Sequence, residues 1–294
     1  MKPKIIVILG PTASGKSDLA VELARKFEGE VISADSRQVY KGLDLGSGKI
    51  TKKEMKGVPH HLLDVVNPKK IYSVAEYQKT GHQTIIEILK KDKLPIIAGG
   101  TGFYIQSLVD NLSLPNVQPN KKLRQELSKK STTELFKILK KLDSKRAKTI
   151  DEQNPHRLIR AIEIAKSLGQ VPTLKKEEKY ESLQIGIKID FKTLVNNISL
   201  RLAKRLKVGM ISEVKKLHET GVTWKRLESF GLEYTFIARF LQNKISRIEM
   251  MESIKTESLK YAKRQMTWFK KDQRIIWVKN LKEAEKLTRK FLQK

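Results

Sequence analysis

The apolar positions of this chain follow two patterns, short unbroken runs and stripes of helical spacing, which alternate along most of its length. Lys4-Ile5-Ile6-Val7-Ile8-Leu9 is an unbroken run rich in β-branched residues and predicts a buried strand. Leu19, Ala20, Leu23, Ala24 and Phe27 recur at helical spacing, so a helix is expected over 17–27. Glu30-Val31-Ile32-Ser33-Ala34 predicts a second strand, ending in Asp35-Ser36-Arg37-Gln38-Val39-Tyr40. Residues 42–59 hold Gly42, Gly46, Gly48, Gly57 and Pro59 and read as loop. His60 to Val66 reads as a short strand, and Ser73-Val74-Ala75-Glu76 is a capping box that opens a helix to about Lys91. Leu94 to Ala98 predicts another strand, which runs into a second glycine turn, Gly99-Gly100-Thr101-Gly102, before a helix. Strands that end in glycine or polar turns and alternate with helices predict an α/β fold with a doubly wound parallel sheet.

The pattern changes between Asn111 and Asn120, where Pro115 and Pro119 break the chain. Lysine-rich helical segments follow over about 121–129, 132–141, 144–150 and 155–168, with no strand pattern among them. Pro155 suits a first helical position and Gly169 a helix end. A strand pattern returns at Gln184 to Asp190, followed by helices from about 192, 210, 232 and 246, a strand over 274–278 and a helix over 281–293. With Gly10-x-x-x-x-Gly15-Lys16-Ser17 placed between the first strand and the first helix, the expected organisation is a P-loop NTPase-like core, 1–114 and 184–294, whose parallel sheet is flanked by helices, with an all-helical insertion domain, 115–183.

Chemistry enters with Gly10-Pro11-Thr12-Ala13-Ser14-Gly15-Lys16-Ser17, which fits G-x-x-x-x-G-K-[ST] at every fixed position, between a strand and a helix. In that setting backbone N–H groups cradle phosphate oxygens, the lysine reaches the terminal phosphate, and the Ser17 hydroxyl ligates Mg²⁺. The motif implies a bound di- or triphosphate, ATP and other nucleotides included, without saying which bond breaks. Asp35 follows a strand and so falls beside the loop at the sheet's carboxyl edge. From position alone it could bind Mg²⁺, accept a proton or cap the next turn. His60 and His61 are strand neighbours pointing to opposite faces, which suits structure or substrate positioning better than chelation of one ion. Arg201 and Arg205, four apart on one helix face, suit a solvated surface or a phosphate clamp.

Charge narrows the partner. Lys and Arg total 60 against 32 Asp and Glu, a net +28. Such a balance points to a polyanion or a membrane surface. No apolar run approaches the roughly 20 residues of a membrane span, so nucleic acid is the expected partner. The chain has no cysteine, which excludes disulfides, zinc ribbons and thiol catalysis. The opening Met1-Lys2-Pro3-Lys4 leads straight into the first strand, so we expect no cleaved signal and a cytoplasmic location.

Taken together, GPTASGKS (10–17), ADSRQVY (34–40), VPHHLLD (58–64), GGTGFY (99–104), NPHRLIRAIEI (154–164) and YAKRQMTWF (261–269) resemble the tRNA dimethylallyltransferases of bacterial type, also called tRNA isopentenyltransferases. The blocks are ordered and spread over nearly the whole chain. Ser47-Gly48 stands where the family often shows Thr-Ala, and the zinc finger of eukaryotic members is absent. The resemblance implies transfer of a dimethylallyl group from dimethylallyl diphosphate to N6 of the adenosine 3′ of the tRNA anticodon, position 37, with Mg²⁺. It implies Asp35 as general base, Thr101 near the reacting centre, and residues 10–17 with Arg201 on the diphosphate, Lys16 also acting in catalysis. It further implies tRNA contacts by Asp35, Ser36, Arg37, Gln38, Thr101, Arg124, His156, Arg157, Leu158, Ile159 and Arg160. The insertion would grip the anticodon stem-loop, Gln38 would meet an adenine edge, and the enzyme is expected to work as a monomer.

Overall fold

The structure is a computed structural model and describes residues 2–293. Its strands and helices run in the order β1 (Lys4–Leu9), α1 (Lys16–Lys26), β2 (Gly29–Ala34), α2 (Lys52–Met55), β3 (His60–His61), α3 (Val74–Leu89), β4 (Leu94–Gly99) and α4 (Gly102–Val109). Next come α5 (Lys121–Leu127), α6 (Thr132–Leu142), α7 (Ser144–Ala147), α8 (Pro155–Leu168), β5 (Glu181–Ile187) and α9 (Phe191–Val208). The chain continues through α10 (Met210–Glu219), α11 (Trp224–Ser229), α12 (Leu232–Leu241), α13 (Arg247–Phe269), β6 (Ile275–Val278) and α14 (Leu281–Gln293).

Residues up to Asn111 together with those from Glu178 form one compact unit, and Leu112–Glu177 form a second. The first unit holds a six-stranded sheet in the order β3-β2-β4-β1-β5-β6, with every pairing parallel. Ile5 to Leu9 are buried because β1 is central and helices cover both faces, which is why the strand reads as an unbroken apolar run. The register sets up the site. Leu9 and Ala34 both pair with Gly99, so β1, β2 and β4 end level and the loops after them emerge side by side. Gly99 is required there, since a Cβ would lie 2.2 Å from the Ala34 carbonyl oxygen.

Three expectations need correction. The strand expected over 60–66 is continuous only at His60–His61, because Leu62 and Asp64 adopt left-handed backbone (φ 60° and 57°); pairing resumes as a single bridge between Val66 and Tyr40. Leu62 thereby enters the core, and Asp64 meets Lys49 at 2.5 Å. The boundary expected at 183 falls inside β5, whose Glu181, Ser182 and Leu183 pair with Lys4, Ile5 and Ile6. Helices α2 and α11 fall where the apolar pattern predicts none; each is short and held by a threonine cap, Thr51 or Thr223.

The second unit is helical. Leu127, Leu135, Leu139, Ala147, Leu158, Ala161 and Ile162 form its core. Beside it lies the buried carboxylate of Glu163, which accepts from Arg124 (2.9 and 2.7 Å), Arg160 (2.5 Å) and the Asn120 N–H (2.6 Å). Burial alone would raise its pKa, but the bonds from Arg124, Arg160 and Asn120 outweigh burial and hold it at about 2. Among the described residues no helix is long and apolar enough to cross a membrane.

Candidate active site

The loop after β1 is built as an anion cradle. Ala13 (φ 61°) and Gly15 (φ 86°) are left-handed, which coils residues 10–15 over the start of α1. Gly15 offers no side chain to cap α1, so the first-turn N–H groups are left for a negative ligand. The Ser14 hydroxyl is buried and finds no protein partner. A Cβ on Gly10 would lie 2.9 Å from it, so the loop can close this tightly only around glycine.

Helix α9 brings two arginines to this cradle. Arg201 bonds the Thr12 hydroxyl, Asn197 donates to the Ala13 carbonyl at 3.1 Å, and Arg205 faces Glu233 of α12 at 3.5 Å. Lys16 donates to the Pro11 carbonyl at 3.3 Å. Burial lowers the Lys16 pKa to about 8; Asp35 opposes that fall, while Arg201 and Arg205 add to it. Burial also lowers Arg201 to about 10, reinforced by Arg205 and opposed by Glu233 and Asp35. Glu233 is raised by its own burial, against the pull of Arg205. The cradle therefore concentrates positive charge, and a diphosphate would offset the mutual repulsion of Lys16, Arg201 and Arg205.

The facing side of the site starts at Asp35. Its Oδ1 accepts the N–H groups of Arg37 (2.8 Å) and Gln38 (3.4 Å), so the residue caps the turn after β2 with one oxygen. The second oxygen makes neither bond and retains the capacity to take a proton. Thr101 donates its N–H to the Ala34 carbonyl at 3.1 Å, and its hydroxyl accepts the Ser36 N–H at 3.0 Å. The Tyr261 hydroxyl, also bonded to Thr101, has its pKa raised by burial. Gln38 has both ends of its amide engaged, accepting from the Ser33 hydroxyl and donating to the Gly48 carbonyl, each at 3.1 Å. Only its second N–H and second lone pair remain for a base edge. The loop that presents Gly48 is itself fixed by Glu213, which accepts from the N–H groups of Asp44, Leu45 and Gly46.

The structure thus gathers residues 10–17, Asp35 to Gln38, Thr101 and Arg201 within one unit. The other sequence-derived contacts lie in the second unit and are mixed. His156 and Arg157 are exposed at the start of α8, where Arg157 lies 3.6 Å from Asp151. Ile159 is half-buried against the helical core. Leu158 needs correction: it is 0% exposed and packs inside that core, which leaves no surface for RNA. Arg124 and Arg160 are half-buried with their guanidinium groups on Glu163, so part of each serves the unit's own fold. Sequence reasoning missed Asn197, Glu213, Tyr261 and Gln265. Tyr261 and Gln265 stand in the YAKRQMTWF block, but nothing in its spacing gives them roles.

Comparison with known proteins places this geometry. Residues 38–272 match the family model described as IPP transferase. The match begins at Gln38, so the phosphate loop stands on its own motif and backbone. A tRNA dimethylallyltransferase of Treponema denticola is 43% identical, the match covering 94% of this chain and 96% of that protein. One from Syntrophus aciditrophicus is 41% identical over 95% and 94%. Among solved structures, the tRNA isopentenylpyrophosphate transferase of Bacillus halodurans superposes with a TM-score of 0.77 at 33% identity, covering 99% of this chain and 97% of its own. A eukaryotic dimethylallyltransferase acting on tRNA gives 0.76 at 26% identity, covering 95% of this chain and 75% of its own. The ordered sequence blocks, the parallel sheet and these matches agree, and the chain belongs to the IPP transferase family.

Proposed function

We propose that this enzyme transfers the dimethylallyl group of dimethylallyl diphosphate to N6 of adenosine 37 in tRNA and releases diphosphate. The observation that carries the reading is the level ending of β1, β2 and β4, which sets a cationic phosphate cradle beside Asp35 and Thr101. C1 of the allyl group tolerates positive charge because the double bond delocalises it. The barrier lies in the charge that grows on the departing diphosphate, which Lys16, Arg201 and the loop amides are placed to stabilise. The adenine amine must lose a proton as the N6–C1 bond forms, and Asp35 accepts it while Thr101 orients the turn. The target base is stacked in the anticodon loop and is extruded to reach this depth.

The residues present suit Mg²⁺. Ser17 is exposed at the start of α1, and no group of three His, Asp or Glu is assembled among the described residues. Ser17 would therefore hold the ion together with diphosphate oxygens and water, the usual arrangement for this cation. Bound there, Mg²⁺ would supply charge neutralisation on the diphosphate.

The lysine-rich insertion is the part we assign to gripping the anticodon stem-loop. His156, Arg157 and the remaining N–H donors of Arg124 and Arg160 are its candidate contacts. We take the enzyme to work as a monomer in the cytoplasm. The net charge of +28 gives a direct expectation. If about six to eight phosphates are contacted, affinity for the stem-loop falls by orders of magnitude between low and moderate salt. A nearly flat log–log salt plot would remove the electrostatic grip.

Incubation with tRNA, dimethylallyl diphosphate and Mg²⁺, followed by nucleoside mass spectrometry, tests the reaction. The expected product is N6-isopentenyladenosine within the RNA. Transfer of a γ-phosphate to a metabolite would indicate a kinase, and a modified free adenine nucleotide would indicate a prenyltransferase that does not use tRNA.

A further inference from the structure

Helix α13 reaches both halves of the site through one buried side chain, Gln265, which is 6% exposed. Its Oε1 accepts the Thr12 N–H at 2.8 Å, and its Nε2 donates to the Gly100 carbonyl at 2.8 Å. Thr12 belongs to the phosphate loop, and Gly100 precedes Thr101, whose hydroxyl holds the Ser36 N–H in the turn begun by Asp35. The fit is close. A Cβ on Gly100 would lie 2.3 Å from Nε2 and 3.7 Å from Lys16 Cε, so glycine is what permits the approach. The bridge needs an acceptor and a donor on one planar group, which glutamine has and an ionised glutamate lacks. An apolar residue would leave two backbone groups unpaired.

We propose that Gln265 is a positioning residue that fixes the separation between the phosphate loop and the Asp35–Thr101 turn. It thereby sets the gap between C1 of the allyl diphosphate and the acceptor amine; this rests on the transferase reading above. In the transfer the N6–C1 bond forms and the C1–O bond breaks. The electron pair leaves with diphosphate, and the amine proton passes to Asp35. Both reactants are held by backbone that Gln265 ties together, and a misplacement of about an ångström costs roughly 10² in rate.

The test uses the full chain with Gln265→Glu and Gln265→Met. Glutamate keeps the acceptor for Thr12, so it reports even if the methionine variant fails to fold. Single-turnover rates at saturating tRNA and dimethylallyl diphosphate are expected to fall roughly 30- to 100-fold. Affinity for an anticodon stem-loop is expected to stay within about threefold in both variants, and affinity for inorganic diphosphate within about threefold in Gln265→Met. In Gln265→Glu the added carboxylate opposes the anion, so that variant is compared at saturation only. A merely structural residue would instead lower both affinities together with the melting temperature. A saturated rate within about threefold of the parent, or a loss confined to binding, overturns the assignment. The parent is assayed alongside. If it forms no prenylated adenosine the transferase reading itself fails, whereas an active parent with unaffected variants removes only the role of Gln265.

Discussion

Lys16→Ala is expected to lower the single-turnover rate by roughly 10²–10³ and to weaken diphosphate binding as well, the range seen when one preorganised charge stabiliser is removed. The lysine sits in the cradle with Arg201 and Arg205, where burial weakens solvent competition. Charge on the leaving diphosphate grows toward the transition state, so the ammonium contributes more there than in the ground-state complex. A mutant in which only the KM for dimethylallyl diphosphate rises would make Lys16 a uniform binder and end the leaving-group role. The same lysine predicts a pH effect. Its pKa in the free protein is about 8, so the ammonium is present below that pH and lost above it. Diphosphate affinity measured by titration calorimetry is therefore expected to decline as pH rises through 8. The bound anion favours the charged lysine and so should shift the midpoint upward.

Much of the fold is legible in the sequence because the sheet is parallel and covered on both faces. Its central strands are rich in apolar residues: β1 runs unbroken from Ile5 to Leu9, and β4 carries Leu94 and Ile96 to Ala98, while β2 has Val31 and Ile32 between Glu30 and Ser33. The start of α3 was marked by the capping box at Ser73, which the structure forms in full. The ends of the strands were less legible. Strand β5 begins with exposed Glu181, whose pairing with Lys4 is made by backbone and leaves no hydrophobic signature. His60 to Val66 looks like a strand because Leu62, Leu63, Val65 and Val66 are apolar, yet left-handed backbone at Leu62 and Asp64 ends it, and only Asp64 is of a type that favours a turn.

The site divides in the same way. The phosphate loop was legible because its chemistry is local, with all ligands on consecutive residues. Asn197, Gln265 and Tyr261 were not, since each reaches the site from a helix remote in sequence and shares no spacing with it. Leu158 shows the opposite error. Taking residues 156–160 as a block of RNA contacts ignored the helical period, which puts Leu158, Ala161, Ile162 and Ala165 on the buried face of α8. Gln38 was legible as a polar residue of its motif and Arg124 as a contact the resemblance implied, but not as groups already engaged with Gly48 and Glu163.

The pairing of a cationic cradle with one proton acceptor is tested most directly by Asp35→Asn. Asparagine keeps the oxygen that accepts the Arg37 and Gln38 N–H groups, so the turn after β2 is retained. It cannot take the amine proton. Binding of tRNA and of dimethylallyl diphosphate should hardly change, while the single-turnover rate at saturating substrates falls by roughly 10²–10⁴, the usual cost of losing a general base. A mutant that needs more Mg²⁺ and binds diphosphate less well would make Asp35 a metal ligand instead. A rate within a few-fold of the parent would reduce Asp35 to a cap for its turn and contradict the account.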